Sequence, residues 1–377
     1  MIYLDNSATT KPCAEAVEAM HLALTENWAN PSALYGFGID AARNLRVARH
    51  QVAAAMGAEP DRIFFTSGGT EADNWAIFGT AKRLGKRGKH IITTAIEHHA
   101  ILNCMKELES QGFEVTYLQP DGQGRVTLDA LKAALRKDTI LVSIMMVNNE
   151  AGSVMPIAQM AKLTHKLCPN AIFHTDAVQG FGKVPFKAKT LGADLISVSG
   201  HKVHGPKGVG ALYIAETLRN PKPLLSGGGQ ESGMRSGTEA TAQIAGFAKA
   251  VELRMENLDE KLAKMAALKE YCRQKLLTID TMVTVGEGTA PHILSLSLPG
   301  YPSANIVSDL GSQGICISAG SACHKGKSSH VVSALGLSKR TTAGVIRISF
   351  GPESSEADVD ALYEALREHK EKRFPML

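Results

Sequence analysis

Five apolar segments between residues 63 and 202 each run straight into side chains that can do chemistry. "FFT" leads into Ser67, Gly68, Gly69, Thr70 and Glu71, "IITTA" into Glu97, His98 and His99, and "SIMMV" into Asn148, Asn149 and Glu150. "IFHT" ends on Asp176, with Gln179 three residues further on, and "ISVS" ends in Ser199, Gly200, His201 and Lys202. If these segments are parallel strands, their carboxyl ends share one rim, which is where open α/β sheets bind ligands. Each feature alone has a plain structural explanation: a tight turn at Gly68-Gly69, a helix start at His99, a cap at Asp176, a solvated turn at Lys202. Together they meet the needs of one cofactor, pyridoxal 5′-phosphate.

The match is chemical. Lys202 brings an amine to the end of an apolar strand, where desolvation eases deprotonation and makes it nucleophilic enough for a Schiff base. Asp176 can face the ring nitrogen and keep it protonated, so that the ring acts as an electron sink. A helix opened by Gly68, Gly69 and Thr70 offers free N–H groups, a favourable dipole and a hydroxyl to a phosphate. His99 is suited to lie on the ring and Gln179 to reach its phenolic oxygen. A nucleotide-binding loop is the competing reading of Gly200 to Gly205, whose glycines have the right spacing. That motif continues with Lys and then Ser or Thr, whereas Pro206, Lys207 and Gly208 follow here, and proline removes a backbone donor.

The elements that must position these groups are legible as alternating strands and helices. Apolar runs "RIFFTS", "HIITTA", "EVTYLQ", "TILVSIMMV", "AIFHTD", "LISVSG" and "VGALYI" are separated by amphipathic stretches at 70–84, 99–111, 127–136 and 157–168. That alternation predicts βαβ units and an α/β fold with a mainly parallel sheet. From about residue 240 a long helical stretch is followed by a smaller α+β set, "HILSLSLPG", "ICISAGSAC", "VIRISFG" and a closing helix. The expected division is a large domain over 14–254 and a small one formed by 1–13 and 255–377.

With these motifs in order, the chain resembles the cysteine desulfurases of the class V aminotransferase group, pyridoxal phosphate enzymes of fold type I. The resemblance runs from "YLDNSATT" through "FFTSGGTEADNWAI", "EHHAI", "VNNEAGSVMPI", "HTDAVQGFGKV" and "SVSGHKVHGPKGVGALYI" to "GGGQESGMRSGTEAT", "SAGSAC" and "VIRISFG". It implies that Lys202 forms the Schiff base, His99 stacks on the ring and exchanges protons, and Asp176 and Gln179 hold the ring nitrogen and oxygen. It implies a phosphate site of Gly69, Thr70, Ser199 and His201, joined by Thr238 from the partner subunit of a homodimer. Asn148 and Arg347 would bind the substrate carboxylate, Arg347 as a two-point clamp. Cys323 would accept sulfur from L-cysteine as a persulfide, leaving L-alanine, and pass it to an acceptor protein for iron–sulfur clusters or tRNA thiolation. The chain departs from the family pattern at Ser7, where alanine is usual, and at Tyr35, where histidine is common. Its segment after Cys323, "HKGKSSHVVSALG", is also shorter and more basic.

Composition narrows the alternatives. With 44% hydrophobic and 21% charged residues and a net charge of +4, the 377-residue chain reads as an ordinary globular protein without a nucleic-acid or membrane surface. No apolar run approaches the ~18 residues that span a bilayer, and "MIYLDNSATTKP" has no secretory pattern, so a cytoplasmic location is expected. Cys13, Cys104, Cys168, Cys272, Cys316 and Cys323 are scattered, which argues against a disulfide framework or structural zinc. The spacing of Cys323, His324 and His330 fits no common zinc pattern. A selenocysteine lyase, or another class V aminotransferase-like enzyme, is the alternative within the fold. A non-catalytic relative would be expected to have lost Lys202 or Cys323.

Overall fold

Side chains alternate across a seven-stranded sheet in the computed structural model, which describes all residues except 217, 219, 220, 287, 321–328 and 377. The strand order is Ile63–Thr66, Gly210–Ile214, Leu195–Ser199, Ile172–Asp176, Thr139–Ser143, His90–Thr94, Glu114–Leu118. Gly210–Ile214 runs antiparallel to both its neighbours, and every other pairing is parallel. Leu141, Ile172, Leu195 and Leu212 join Trp75 and Ile77 on one face, while Val142, Phe173, Ile196 and Ala211 join Val52 and Phe247 on the other. Both faces are therefore dry, as continuous apolar strands require. Each buried Val, Leu, Ile or Phe among them contributes about 1.5–3 kcal/mol by leaving water.

Helices Gly69–Leu84, His99–Ser110, Leu128–Ala134 and Ile157–Leu167 fall on the expected amphipathic stretches. "TILVSIMMV" is a strand only over Thr139–Ser143, but Ile144 and Met146 still donate to the carbonyls of His174 and Asp176 at 3.1 and 2.8 Å. That pairing carries the chain alongside the Asp176 strand to Asn148. The long helical stretch is broken, with Thr241–Met255 and Leu258–Leu276 separated by Asn257 at φ 48°.

A second, antiparallel sheet has the order Ser318–Ala319, Val345–Ser349, Ile293–Ser297, Val283–Thr284. Its core gathers Leu296, Ile346 and Ile348 with Cys272 and Leu276, and Leu362 and Leu366 of the closing helix Glu356–Lys372. The N-terminal segment links the two sheets. Ile2–Tyr3 pairs with Ile315–Cys316, Asp5 bridges to Ser349, and Thr10 N–H then donates to the His201 carbonyl at 2.9 Å. Residues 5 to 8 are thereby laid across the gap beside Lys202.

Candidate active site

Where the strands of the large sheet end, a cavity of about 430 Å³ is walled by Lys202, Asp176, His98, Ser199 and Thr70, with Arg347 entering from the small sheet. Lys202 arrives because Leu195–Ser199 ends in a tight turn over Gly200–Lys202. Its Nζ donates to the carbonyls of Ser7 and Ala8, both at 2.7 Å. These partners are neutral. Burial, followed by the positive charge of Arg347, pulls the amine down to about 8, against the opposing charges of Asp176 and Asp5. Roughly one amine in ten is then neutral at pH 7, against well under about one in a thousand for an ordinary lysine.

Asp176 closes the neighbouring strand and accepts the Val178 N–H at 2.8 Å. Burial raises its proton affinity above the ordinary carboxylate range, and the Val178 N–H and the Lys202 charge oppose that rise. Behind it lie two more buried acids. Asp73 is pushed up by burial and by the charge of Asp176. Glu97, held by the Thr94 hydroxyl at 2.7 Å and the Met145 N–H at 2.9 Å, is pushed up to about 8 by burial. Asp176, at the cavity wall, calls for a cationic N–H partner, which would restore its anionic form.

The histidine facing the cavity is His98, which corrects the expectation placed on His99. His98 caps the following helix: its Nδ1 accepts the Ala100 N–H at 3.2 Å, which leaves the proton on Nε2. Burial and then the charge of Lys202 lower its pKa, so the ring is neutral. His99 starts the helix instead. It lines a separate depression with Asn74 and Asn103 and packs on His330 at 4.6 Å between ring centroids.

Asn148 shows the same one-residue shift. It is fully buried, with Nδ2 donating to the Ile96 carbonyl at 2.9 Å and Oδ1 accepting the N–H groups of Glu150 and Ala151 at 2.9 and 2.7 Å. Those bonds build the turn and turn the amide away from the cavity, whose wall is formed by Asn149. Both corrections fall in doublets, His98-His99 and Asn148-Asn149, where residue type alone leaves open which member faces the cavity.

At the phosphate end, Gly68 has φ 151° and no side chain caps helix Gly69–Leu84, so the first-turn N–H groups open beside Gly69 and Thr70. Close packing enforces this: a Cβ on Gly69 would lie 2.8 Å from Val178 Cγ2. Ser199 and His201 line the same end, and His201 Nδ1 lies 3.1 Å from the Thr9 hydroxyl. Burial lowers His201 to about 4, so it is neutral. Gln179 is fixed by three contacts: Nε2 donates to the Ser7 carbonyl at 2.8 Å, while Oε1 faces Lys183 Nζ at 3.2 Å and His292 Nε2 at 3.3 Å.

Thr238 is exposed and does not line this cavity. Its loop is tied down by Arg235, which clasps Glu71 at 2.8 and 3.1 Å, and by Glu231, which clasps Arg49 at 2.6 and 2.7 Å. Arg347, from the central Val345–Ser349 strand, donates to Asp5 Oδ1 at 2.7 Å, the Ser318 hydroxyl at 2.9 Å and the Asn149 carbonyl at 2.9 Å. Cys323 lies outside the described residues. Among the other cysteines, Cys104 and Cys272 are buried and pushed up to about 12, which suits packing and not nucleophilic attack. No group of three or more His, Cys, Asp or Glu suited to a metal ion occurs among the described residues. No helix among them is long and apolar enough to cross a membrane.

An amine of lowered proton affinity, a buried acid, a neutral ring and an uncapped helix N-terminus around one cavity fit the donor set of pyridoxal phosphate. Known proteins give the same reading. Residues 2–362 match the aminotransferase class-V family. The chain is 43% identical over 376 residues to a cysteine desulfurase IscS of Clostridium botulinum, covering 97% of this chain and 93% of that protein. It is likewise 43% identical to a cysteine desulfurase IscS of Methanosarcina thermophila, covering 98% and 92%. Among solved structures, a NifS-like protein superposes with a TM-score of 0.94 at 37% identity, covering 99% of this chain and all of that one (100%). SspA in complex with cysteine superposes at 0.83 with 33% identity, covering 94% and 100%. With family match, identity and fold in agreement over nearly its whole length, the chain belongs to the class-V aminotransferases and, within them, to the pyridoxal phosphate-dependent cysteine desulfurases.

Proposed function

We propose that the protein is a cysteine desulfurase that converts L-cysteine to L-alanine and retains the sulfur as a persulfide on Cys323. The observation that carries this reading is Lys202, whose amine is drawn down to about 8 in a cavity shared with Asp176 and Arg347. The cysteine seen with the SspA neighbour supports the choice of substrate.

Gly69, Thr70, Ser199 and His201 would hold the cofactor's phosphate, Asp176 its ring nitrogen, Gln179 its phenolic oxygen and His98 its ring face. Bound there, the cofactor supplies an electron sink for charge developing at the substrate's α-carbon. Lys202, with its proton affinity lowered to near neutral pH, can give up and take back a proton at Nζ. His98, with its proton on Nε2, is placed to exchange it with substrate or product. Arg347 draws in the α-carboxylate. The Cys323 thiol takes the substrate's sulfur as the carbon–sulfur bond breaks. A thiol and L-cysteine thereby become a persulfide and L-alanine, with no external oxidant.

The same reading includes a homodimer in which Thr238 reaches the partner's phosphate site. The surface around Trp28, Leu34, Tyr35 and Ile39, all exposed apolar side chains, suits a second copy. It also includes a division into domains at 14–254 and at 1–13 with 255–377, a cytoplasmic location, and delivery of sulfur to an acceptor protein for iron–sulfur clusters or tRNA thiolation.

The test is to incubate the purified, cofactor-loaded protein with L-cysteine, quantify L-alanine, and read the mass of the Cys323 peptide. Equal yields of alanine and of a 323 persulfide are expected in a single turnover, and Cys323→Ser should lose sulfur transfer by about 10²-fold or more. Normal sulfur delivery by that variant would contradict the assignment.

A further inference from the structure

We infer that Asp5 is a built-in competitor for the substrate's carboxylate, occupying Arg347 until an α-amino acid displaces it. The inference rests on the desulfurase reading for its substrate class and goes beyond it in assigning Asp5 a role in affinity.

Atom accounting makes the case. A guanidinium has five N–H groups. Arg347 NH2 donates to Asp5 Oδ1 at 2.7 Å and to the Ser318 hydroxyl at 2.9 Å, and those two oxygens, 2.8 Å apart, crowd the same side of NH2. NH1 spends one on the Asn149 carbonyl at 2.9 Å, and buried Nε has no partner. A carboxylate gripped at two points takes two parallel N–H groups along one edge of the guanidinium, either NH1 with NH2 or Nε with NH2. Both edges need NH2. The two-point clamp expected of Arg347 therefore draws on the nitrogen that Asp5 already holds.

The partner to be released is already a carboxylate. Ser318 donates its own hydrogen to Asp5 Oδ1 at 2.8 Å, closing a ring of Asp5, Ser318 and Arg347. When substrate takes NH2, Asp5 keeps the Ser318 hydroxyl, and its side chain, 18% exposed, retains some access to water. The exchange swaps one carboxylate for another, so little of the ion-pair energy is gained on binding. Asp5 thus sets affinity for the α-carboxylate without touching the reacting atoms. A purely supporting Asp5, which only holds the arginine in place, would have the opposite effect on removal.

The experiment compares wild-type and Asp5→Asn protein loaded with cofactor, titrated with L-alanine and with ethylamine, which is alanine without its carboxylate. Binding is followed by the cofactor's visible absorbance, and melting temperature monitors the fold. Asp5→Asn should tighten L-alanine about ten-fold while leaving ethylamine unchanged. Asp5→Ala, which removes the competing carboxylate without leaving an amide in its place, should act in the same direction, and it decides the matter if the Asp5→Asn variant does not fold. Unchanged or weaker L-alanine binding would overturn the inference. Absence of L-cysteine turnover in the wild type would count against the desulfurase reading alone, because the alanine comparison requires only an α-amino carboxylate.

Discussion

The two cations of the cavity are held in opposite ways. Lys202, on the large-sheet rim, donates only to neutral carbonyls of Ser7 and Ala8, whereas Arg347, on the small-sheet rim, is clasped by the carboxylate of Asp5. A carboxylate beside Lys202 would pin its proton. Neutral acceptors in a buried setting let the amine fall to about 8. Arg347 has no proton to lose at working pH, so an acid partner costs it nothing chemically and keeps its buried charge paired. The same short N-terminal segment serves both, Asp5 for one and residues 7 and 8 for the other. One rim is built to move a proton and the other to hold a fixed charge.

Exchanging the two residue types gives the largest expected effect. Lys202→Arg keeps the positive charge and donors but cannot be deprotonated, and alanine formation should fall by about 10³-fold or more. Arg347→Lys keeps a charge but loses the planar two-point grip, so KM for L-cysteine should rise by about 10-fold with a smaller change in kcat. Steady-state assays of both variants check this. Similar losses confined to KM in the two variants would erase the distinction.

A smaller effect separates the adjacent histidines. His98→Ala should lower kcat by at least about 10-fold, while His99→Ala, outside the cavity, should stay within about 3-fold of wild type. The reverse ranking, measured in the same assay, would return the ring-facing role to His99.

Much of this arrangement was legible in the sequence. The strand runs, their dry faces and the chemistry at their carboxyl ends follow from periodicity and from Gly-rich turns, and Lys202, Asp176 and Gln179 stand where those signals put them. The failures came at His98 and Asn149, each one residue from the expected position. Which member of a doublet is presented depends on the backbone of the turn: His98, at φ −62° and ψ 150°, sits outside the helix it caps. Residue type alone does not encode that. The pairing of Asp5 with Arg347 joins residues 342 apart in sequence, with no local pattern to announce it. It exists because the Asp5 bridge to Ser349 lays the N-terminal segment along the small sheet.

The central claim is that Lys202 is the cofactor's anchor because its amine loses its proton far more readily than an ordinary lysine. Cofactor-free protein mixed with pyridoxal phosphate at graded pH, reduced at early times with borohydride and mapped by peptide mass spectrometry, tests it directly. The cofactor's mass should fall on the peptide containing Lys202. Labelling should rise with pH as the amine loses its proton, with a midpoint near about 8. Label on Lys183 or another lysine, or a midpoint in the ordinary lysine range, would contradict the account.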